Sequence, residues 1–240
     1  MANELSCNLP TMEAYSESLG YYEQVDSESL SDLVIHAIQD SSYTYADILR
    51  YFNQGLRYIS GKILLDDLET FTDVATDPGV NNIPLPADYQ RDLRYCHSIT
   101  NNRQIRIKGS VLQMYRQFSQ LDQSGNVIMV ATKGGRLYYQ RVPDSAETLR
   151  INYWSYPERL TTRWQKPTCL PAHLVEDLLV NYACWRIFEK IEDGIEGQKV
   201  NTLYYKGLFD AAMADLQEYI GPEHDEIKDT ETEIDWEAYI

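Results

Sequence analysis

The sequence predicts an α+β fold: an antiparallel helical bundle with an inserted antiparallel β region and extended N- and C-terminal arms. In the first and last parts of the 240-residue chain, apolar residues recur at three- and four-residue steps, which is the spacing of one helix face. Between residues 70 and 162 the pattern changes to short runs rich in Tyr, Val, Ile and Thr, with turn residues between them. The predicted segments are an N-terminal arm (1–28), the first part of the bundle (29–69), the β region (70–165), the second part of the bundle (166–220) and an acidic docking tail (221–240).

The most clearly specified helix runs from Leu170 to Gly194. Pro171 suits the first turn of a helix, where its missing N–H costs nothing. Gly194 stands where a left-handed residue would end the helix. Apolar residues form a wide stripe between these positions, so we expect the helix to be buried on more than one side and to organise the core.

Three further helices are predicted, at 29–39, 44–65 and 198–220. The last follows the core helix after a short connection, so the two are expected to run antiparallel. Gly55 and Gly61 interrupt the second of the three. Each glycine either weakens it by about 1 kcal/mol relative to Ala or allows another helix to approach closely.

The β region is predicted from short runs of strand-forming residues. These runs lie at 93–99, 104–108, 127–132, 137–142 and 149–154, with one helical insertion at 110–118. Gly134-Gly135 is a strong signal for a two-residue hairpin turn. In the last run, Leu149, Ile151 and Tyr153 fall on one face of the strand, and Arg150, Asn152 and Trp154 fall on the other. The runs together predict a compact antiparallel β region.

Composition excludes several classes of function. The formal net charge of −16 argues against nonspecific nucleic-acid binding, which needs cations to replace phosphate counterions. No apolar run approaches the roughly 20 residues of a membrane span. The four cysteines form no C-x-x-C pair, so reduced thiols in an intracellular setting are expected.

No motif for catalysis, metal binding or a cofactor stands out. None of the four histidines lies three or four residues from another, so no metal site is predicted. Adjacent carboxylates such as Glu176-Asp177 and Glu192-Asp193 are expected by chance in a chain with 37 acidic residues. Glycosidases need two carboxylates at a fixed separation in a cleft, and a hydrolase therefore stays open as an alternative.

Basic residues concentrate in the β region, where ten Lys and Arg lie between Arg91 and Arg150. This asymmetry leaves three interpretations open. The basic side of one copy could meet the acidic side of the next copy in a ring. The basic residues could instead let DNA pass nearby without tight binding, or they could simply be solvated surface residues with no partner.

The last twenty residues hold eight acidic residues against one lysine, a composition that favours disorder in the free chain. The segment nevertheless ends in large apolar and aromatic side chains. These predict a short docking motif that folds on a partner, with Ile234, Trp236, Tyr239 and Ile240 as its contact residues. The alternative is a solvated tail with incidental aromatics.

The order of these signals resembles one known family. The segments that carry the resemblance are Ile83–Tyr89, Gly134-Gly135 with Leu137–Tyr139, Leu149–Trp154, Tyr156–Thr161, Leu170-Pro171, and Tyr204-Tyr205 with Leu208. Over about residues 28–220 the chain resembles the head-to-tail adaptor (connector) proteins of tailed bacteriophages, especially the adaptor beneath the portal of short-tailed phages.

The resemblance implies a structural virion protein of the neck and tail that is made in the host cytoplasm. It implies a homo-oligomeric ring of twelve copies that binds the portal on one side and a tail tube or nozzle protein on the other. DNA would pass through the ring without specific binding, and the C-terminal segment would insert against the portal. No enzymatic activity, cofactor or membrane contact is expected. The alternatives are a tail-completion or terminator protein and a cell-wall glycan hydrolase of the virion.

Overall fold

The computed structural model describes residues 25–40, 42–117, 123–193 and 199–221. Its helices are α1 (Ser27–Ile38), α2 (Tyr45–Lys62), α3 (Val111–Gln117), α4 (Val175–Ile191) and α5 (Val200–Ile220). Its strands are β1 (Glu69–Ala75), β2 (Asn82–Pro84), β3 (Tyr89–Ser98), β4 (Arg103–Gln104), β5 (Arg106–Ile107), β6 (Met129–Lys133), β7 (Arg136–Gln140) and β8 (Thr148–Ser155). The chain divides into two compact units, one of residues 1–55 and 160–219 and one of residues 56–159 and 220–240.

In the first unit, whose regular elements are helices, α1 packs against α4. α1 begins after Asp26, whose carboxylate accepts a hydrogen bond from the Ser29 N–H at 2.8 Å. This is the usual N-cap arrangement, because the side chain satisfies a backbone donor that the helix leaves free. Leu30 and Val34 are fully buried, so α1 contributes one apolar face to the core.

α4 lies in the core of this unit, as the sequence predicts. Its buried residues are Val175, Leu178, Leu179, Tyr182, Ala183, Cys184 and Ile187. The predicted start at Pro171 is wrong: the Leu174 N–H donates to the Pro171 carbonyl at 2.9 Å in a turn, and the helix begins at Val175. Proline is favoured both in a first helical turn and in a tight turn, so the local pattern does not separate the two. The predicted end at Gly194 lies outside the described residues.

α4 and α5 run antiparallel, and the predicted arrangement is confirmed. Tyr182 meets Phe209 with ring centroids 5.3 Å apart, and farther along α4 Phe188 meets Tyr205, also at 5.3 Å. Beyond Phe188, the carboxylate of Glu192 accepts hydrogen bonds from two backbone N–H groups at the start of α5, each at 3.1 Å. Glu192 therefore joins the end of α4 to the beginning of α5.

Gly55 lies where α2 approaches α4 closely. A Cβ at this position would stand 3.0 Å from Tyr182 Cδ1 and 3.4 Å from Leu179 Cδ2. Around Gly61, by contrast, no described atom lies within 4 Å of the equivalent point. The prediction that a glycine lets another helix approach closely is therefore confirmed for Gly55. It has no support at Gly61.

The second unit contains two four-stranded sheets. One has the strand order β1-β8-β3-β4 and is antiparallel, and the other has the order β2-β7-β6-β5. Buried side chains of both sheets form one cluster, which includes Ile83, Val130, Leu137, Ile151 and Tyr153. The β8 face with Leu149, Ile151 and Tyr153 is fully buried, and Asn152 and Trp154 on the opposite face are buried as well. Gly134 and Gly135 have positive φ values of 59° and 73° between β6 and β7, as the predicted hairpin turn requires.

The predicted fold class, a helical bundle with an inserted antiparallel β region, is wrong. Two sheets with a core of their own are a substantial part of the molecule, and the second sheet is mixed because β5 runs parallel to β6. The predicted strand 104–108 is divided at Ile105, which is 2% exposed. The part before it pairs with β3, and the part after it pairs with β6 in the other sheet. α3 lies between β5 and β6 and supplies the crossover that a parallel pair needs.

Candidate protein-interaction site

The outer face of the β1-β8-β3-β4 sheet carries a row of aromatic side chains. The strand register places Phe71 of β1 beside Asn152 of β8, and Asn152 beside Tyr95 of β3. Phe71 is 60% exposed, and its ring meets that of Tyr95 edge-on with centroids 6.3 Å apart. The Tyr95 ring is in turn stacked with His97 at 6.1 Å. This row is the aromatic part of the surface that we call the sheet face.

A charged row lies next to the aromatic one. Arg150 donates two hydrogen bonds to the Asp73 carboxylate, from Nε at 2.8 Å and from Nη2 at 2.9 Å. These bonds hold the pKa of Asp73 below its ordinary value. At the other end of the sheet face, the Arg94 guanidinium lies 5.8 Å from the centre of the Trp154 ring. The two arginines therefore stand on either side of the exposed aromatic rings.

These side chains line an open depression of about 1040 Å³. Its two acidic residues, Glu69 and Asp73, are four residues apart on one strand, or about 13 Å at roughly 3.3 Å per residue. Asp73 is also already paired with Arg150, so the two carboxylates are not a free acid and base of the kind that glycosidases use. Exposed aromatic rings with arginine are instead typical of surfaces that bind another protein.

The buried carboxylate of the β unit, Glu147, has a structural role. It accepts hydrogen bonds from Ser98 Oγ at 2.5 Å, from the Val127 N–H at 3.1 Å and from the Asn101 side chain. The Glu147 N–H also donates to Thr76 Oγ1 at 2.9 Å. Because its acceptor sites are engaged by neighbouring segments, Glu147 ties those segments together and is poorly placed to act as a base.

The described cysteines also lack the properties of reactive groups. Cys96, Cys169 and Cys184 are all buried. Burial raises the pKa of both Cys96 and Cys184 to about 12, so their thiols are protonated at neutral pH. In the described part of the chain, no group of His, Cys, Asp and Glu is arranged to hold a metal ion. Over the same residues, no helix is long and apolar enough to cross a membrane.

The docking residues predicted from the sequence, Ile234, Trp236, Tyr239 and Ile240, lie outside the described residues. Phe71 and Tyr95 were not predicted to be surface residues. The sequence does carry a signal for Phe71, because this residue alternates with the acidic Glu69 and Asp73 on the exposed face of β1.

Comparison with curated proteins gives no match. A protein-family model described as SU10 adaptor protein matches residues 28–226, which include most of both units. The match confirms the resemblance to phage head-to-tail adaptors that the sequence patterns indicate. The chain belongs to the SU10 adaptor protein family.

Proposed function

We propose that this protein is a structural virion component that forms a ring between the portal and the tail of a phage. The observation that carries the proposal is the family match over residues 28–226. The ring, its twelve copies and its place in the virion neck follow from the resemblance to head-to-tail adaptors. In this proposal the ring also contacts a tail tube or nozzle protein, DNA passes through it without specific binding, and no reaction is catalysed.

The acidic tail is the proposed contact with the portal. Its aromatic and apolar residues, Ile234, Trp236, Tyr239 and Ile240, suit a motif in which a few large side chains supply most of the binding energy. Purified portal rings would be titrated with the full chain, with a Trp236→Ala/Tyr239→Ala variant and with a Thr232→Ala control. We expect the double variant to bind at least about 30-fold more weakly, at roughly 2 kcal/mol for one hot-spot residue, and the control to bind normally. Unchanged binding by the double variant would remove the tail from the proposal.

The sheet face is the proposed contact with a second neck component. Its exposed ring, Phe71, can be truncated without opening the core, because it lies outside the buried cluster. We expect Phe71→Ala to weaken ring assembly or tail attachment about tenfold. Lys133→Ala, which changes an exposed residue of the other sheet, should have no effect. Electron microscopy of assembly reactions would count the joined particles, and equal counts for both variants would contradict this assignment.

A further inference from the structure

The β2-β7-β6-β5 sheet has an inner face and an outer face. Its inner side chains, such as Val130 of β6, belong to the cluster that both sheets share. Met129 and Ala131 alternate with Val130 along the same strand, so they point to the outer side. There they form a separate cluster with Val111 and Met114 of α3. α3 therefore covers part of the outer face.

The outer face carries basic side chains at three of its strands. Arg106 of β5 stands beside Met129, and Lys108 lies on the same side two residues later. Lys133 is four residues after Met129 on β6, and Arg136 of β7 stands directly opposite Lys133. Together with an exposed arginine of α3 they form a set that we call the basic face: Arg106, Lys108, Arg116, Lys133 and Arg136.

The basic face has few acidic neighbours. In residues 99–143 the sequence has seven Lys and Arg against one acidic residue, Asp122. Among the described residues, no carboxylate forms an ion pair with Lys108, Lys133 or Arg136. Lys133 and Arg136 are cross-strand partners, and like charges so placed destabilise a sheet. The face therefore fits a partner that brings negative charge.

We propose that the acidic tail docks on the basic face of its own chain. The tail, residues 221–240, has eight acidic residues against one lysine, so its charge complements the face. The face also has room for an apolar side chain of the tail. Leu112 of α3 is 59% exposed and lies one turn before Arg116, on the same side of the helix.

Attachment to the chain favours the tail over a separate anion. The segment from Gly221 to Ile234 spans up to about 45 Å when extended, whereas a unit of about 100 residues has a radius of gyration of about 13 Å. A segment tethered in this way has an effective concentration on the order of millimolar. Duplex DNA must instead approach a chain whose net charge is −16.

Docking would hold the tail on its own chain until the portal displaces it. Only this displacement rests on the proposed portal contact; the docking itself does not.

Carbodiimide cross-linking of the full chain tests the contact, because the reagent joins a carboxylate to a lysine amine that touches it. We expect links from Lys108 and Lys133 to the acids of residues 231–235, identified by mass spectrometry. Lys62, exposed on α2, is the internal control and should give at least about tenfold fewer links to the tail. Equal linking of Lys62 would overturn the proposal. Links that join isotope-labelled to unlabelled chains in a mixture would overturn it too.

Charge reversal supplies a second test. Lys108→Glu/Lys133→Glu replaces attraction with repulsion on the basic face, so it should lower the docked fraction of the tail at least about tenfold. Arg50→Glu/Lys62→Glu is the matched control. It changes the net charge by the same amount at exposed residues of α2, outside the basic face, and should leave the tail docked.

The indole N–H resonance of Trp236 in the NMR spectrum of the full chain measures docking, and its loss in Trp236→Phe identifies it. At low salt this resonance should lie apart from that of a synthetic peptide of residues 221–240. The double variant of the basic face should bring it to the peptide position, as should about 0.5 M salt, which screens exposed charges. A resonance at the peptide position in the unaltered chain, or the same response from both double variants, would refute the docking.

The same spectra separate the tail from another occupant. Short duplex DNA added at physiological salt should leave Trp236 docked. If DNA binds the basic face while Trp236 stays at the peptide position throughout, the face serves nucleic acid and the proposal is wrong. Portal rings are absent from these experiments, so failure of this contact and failure of the adaptor function give different results.

Discussion

The close approach of α2 and α4 at Gly55 gives a sharp test of the helical unit. Gly55→Ala adds one methyl group at a point 3.0 Å from Tyr182 Cδ1 and 3.2 Å from Tyr182 Cγ. Tyr182 has little room to move, because it is 6% exposed and its ring packs edge-on against Trp185 and Phe209 at 5.6 Å and 5.3 Å. The added methyl group therefore overpacks the core.

Two opposing effects set the size of the change. Alanine stabilises a helix interior by about 1 kcal/mol relative to glycine, whereas overpacking costs about 1–3 kcal/mol. We expect Gly55→Ala to lower the free energy of unfolding by up to about 2 kcal/mol. Gly61→Ala on the same helix is the matched control: it has the propensity gain, reduced near the helix end, and no described atom within 4 Å to clash with. It should leave stability unchanged or raise it.

Urea unfolding followed by circular dichroism would measure both variants. The difference between them isolates the overpacking cost, about 1–3 kcal/mol. Adding Tyr182→Leu to Gly55→Ala should recover part of that cost, as a favourable coupling in a double-mutant cycle. If Gly55→Ala stabilises the protein as much as Gly61→Ala does, the close contact between α2 and α4 does not exist in solution.

Three further predictions follow from buried or capping groups. The Asn53 side chain accepts a hydrogen bond of 2.8 Å from the Leu160 N–H and donates one of 2.9 Å to the Leu160 carbonyl. Asn53→Ala leaves both backbone groups unpaired, so it should lower the free energy of unfolding in urea by about 2–3 kcal/mol. A decrease below about 0.5 kcal/mol would contradict this prediction. The hydrogen bond from Thr202 Oγ1, together with those from the N–H groups at the start of α5, holds the pKa of Glu192 below its ordinary value of 4.5. The stabilisation by these bonds is therefore complete above that pH and is lost as the pH falls through the folded-state pKa. Glu192→Gln should flatten this part of the stability–pH curve, and an unchanged curve would exclude the cap. The pKa values of Cys96 and Cys184, raised to about 12, predict that a thiol reagent at pH 8 labels neither until the chain is unfolded, and fast labelling of the native protein would show that they are accessible.

The sequence predicts those elements whose residues carry a long local period. The apolar stripe of α4, the alternation in β8 and the glycine pair between β6 and β7 each specify a helix, a strand or a turn that the protein forms. Each depends on neighbours within a few residues of the chain. The boundaries are less well predicted, as the turn at Pro171 shows.

Long-range pairing could not be predicted in the same way. β4 and β5 have two residues each, too few to show a period, and their assignment to different sheets depends on partners elsewhere in the chain. β1 pairs with β8, from which about seventy residues separate it. The sheet face could not be predicted for the same reason. Phe71 and Tyr95 become neighbours only because β1 and β3 both pair with β8, where Asn152 lies between them.

Electron microscopy of purified portal rings mixed with the full chain tests the adaptor function most directly. The adaptor account predicts a second ring of density, attached to one face of the portal and made of copies of this chain. Portal rings that stay bare while the chain remains free in solution, at concentrations where both proteins are folded, would contradict it.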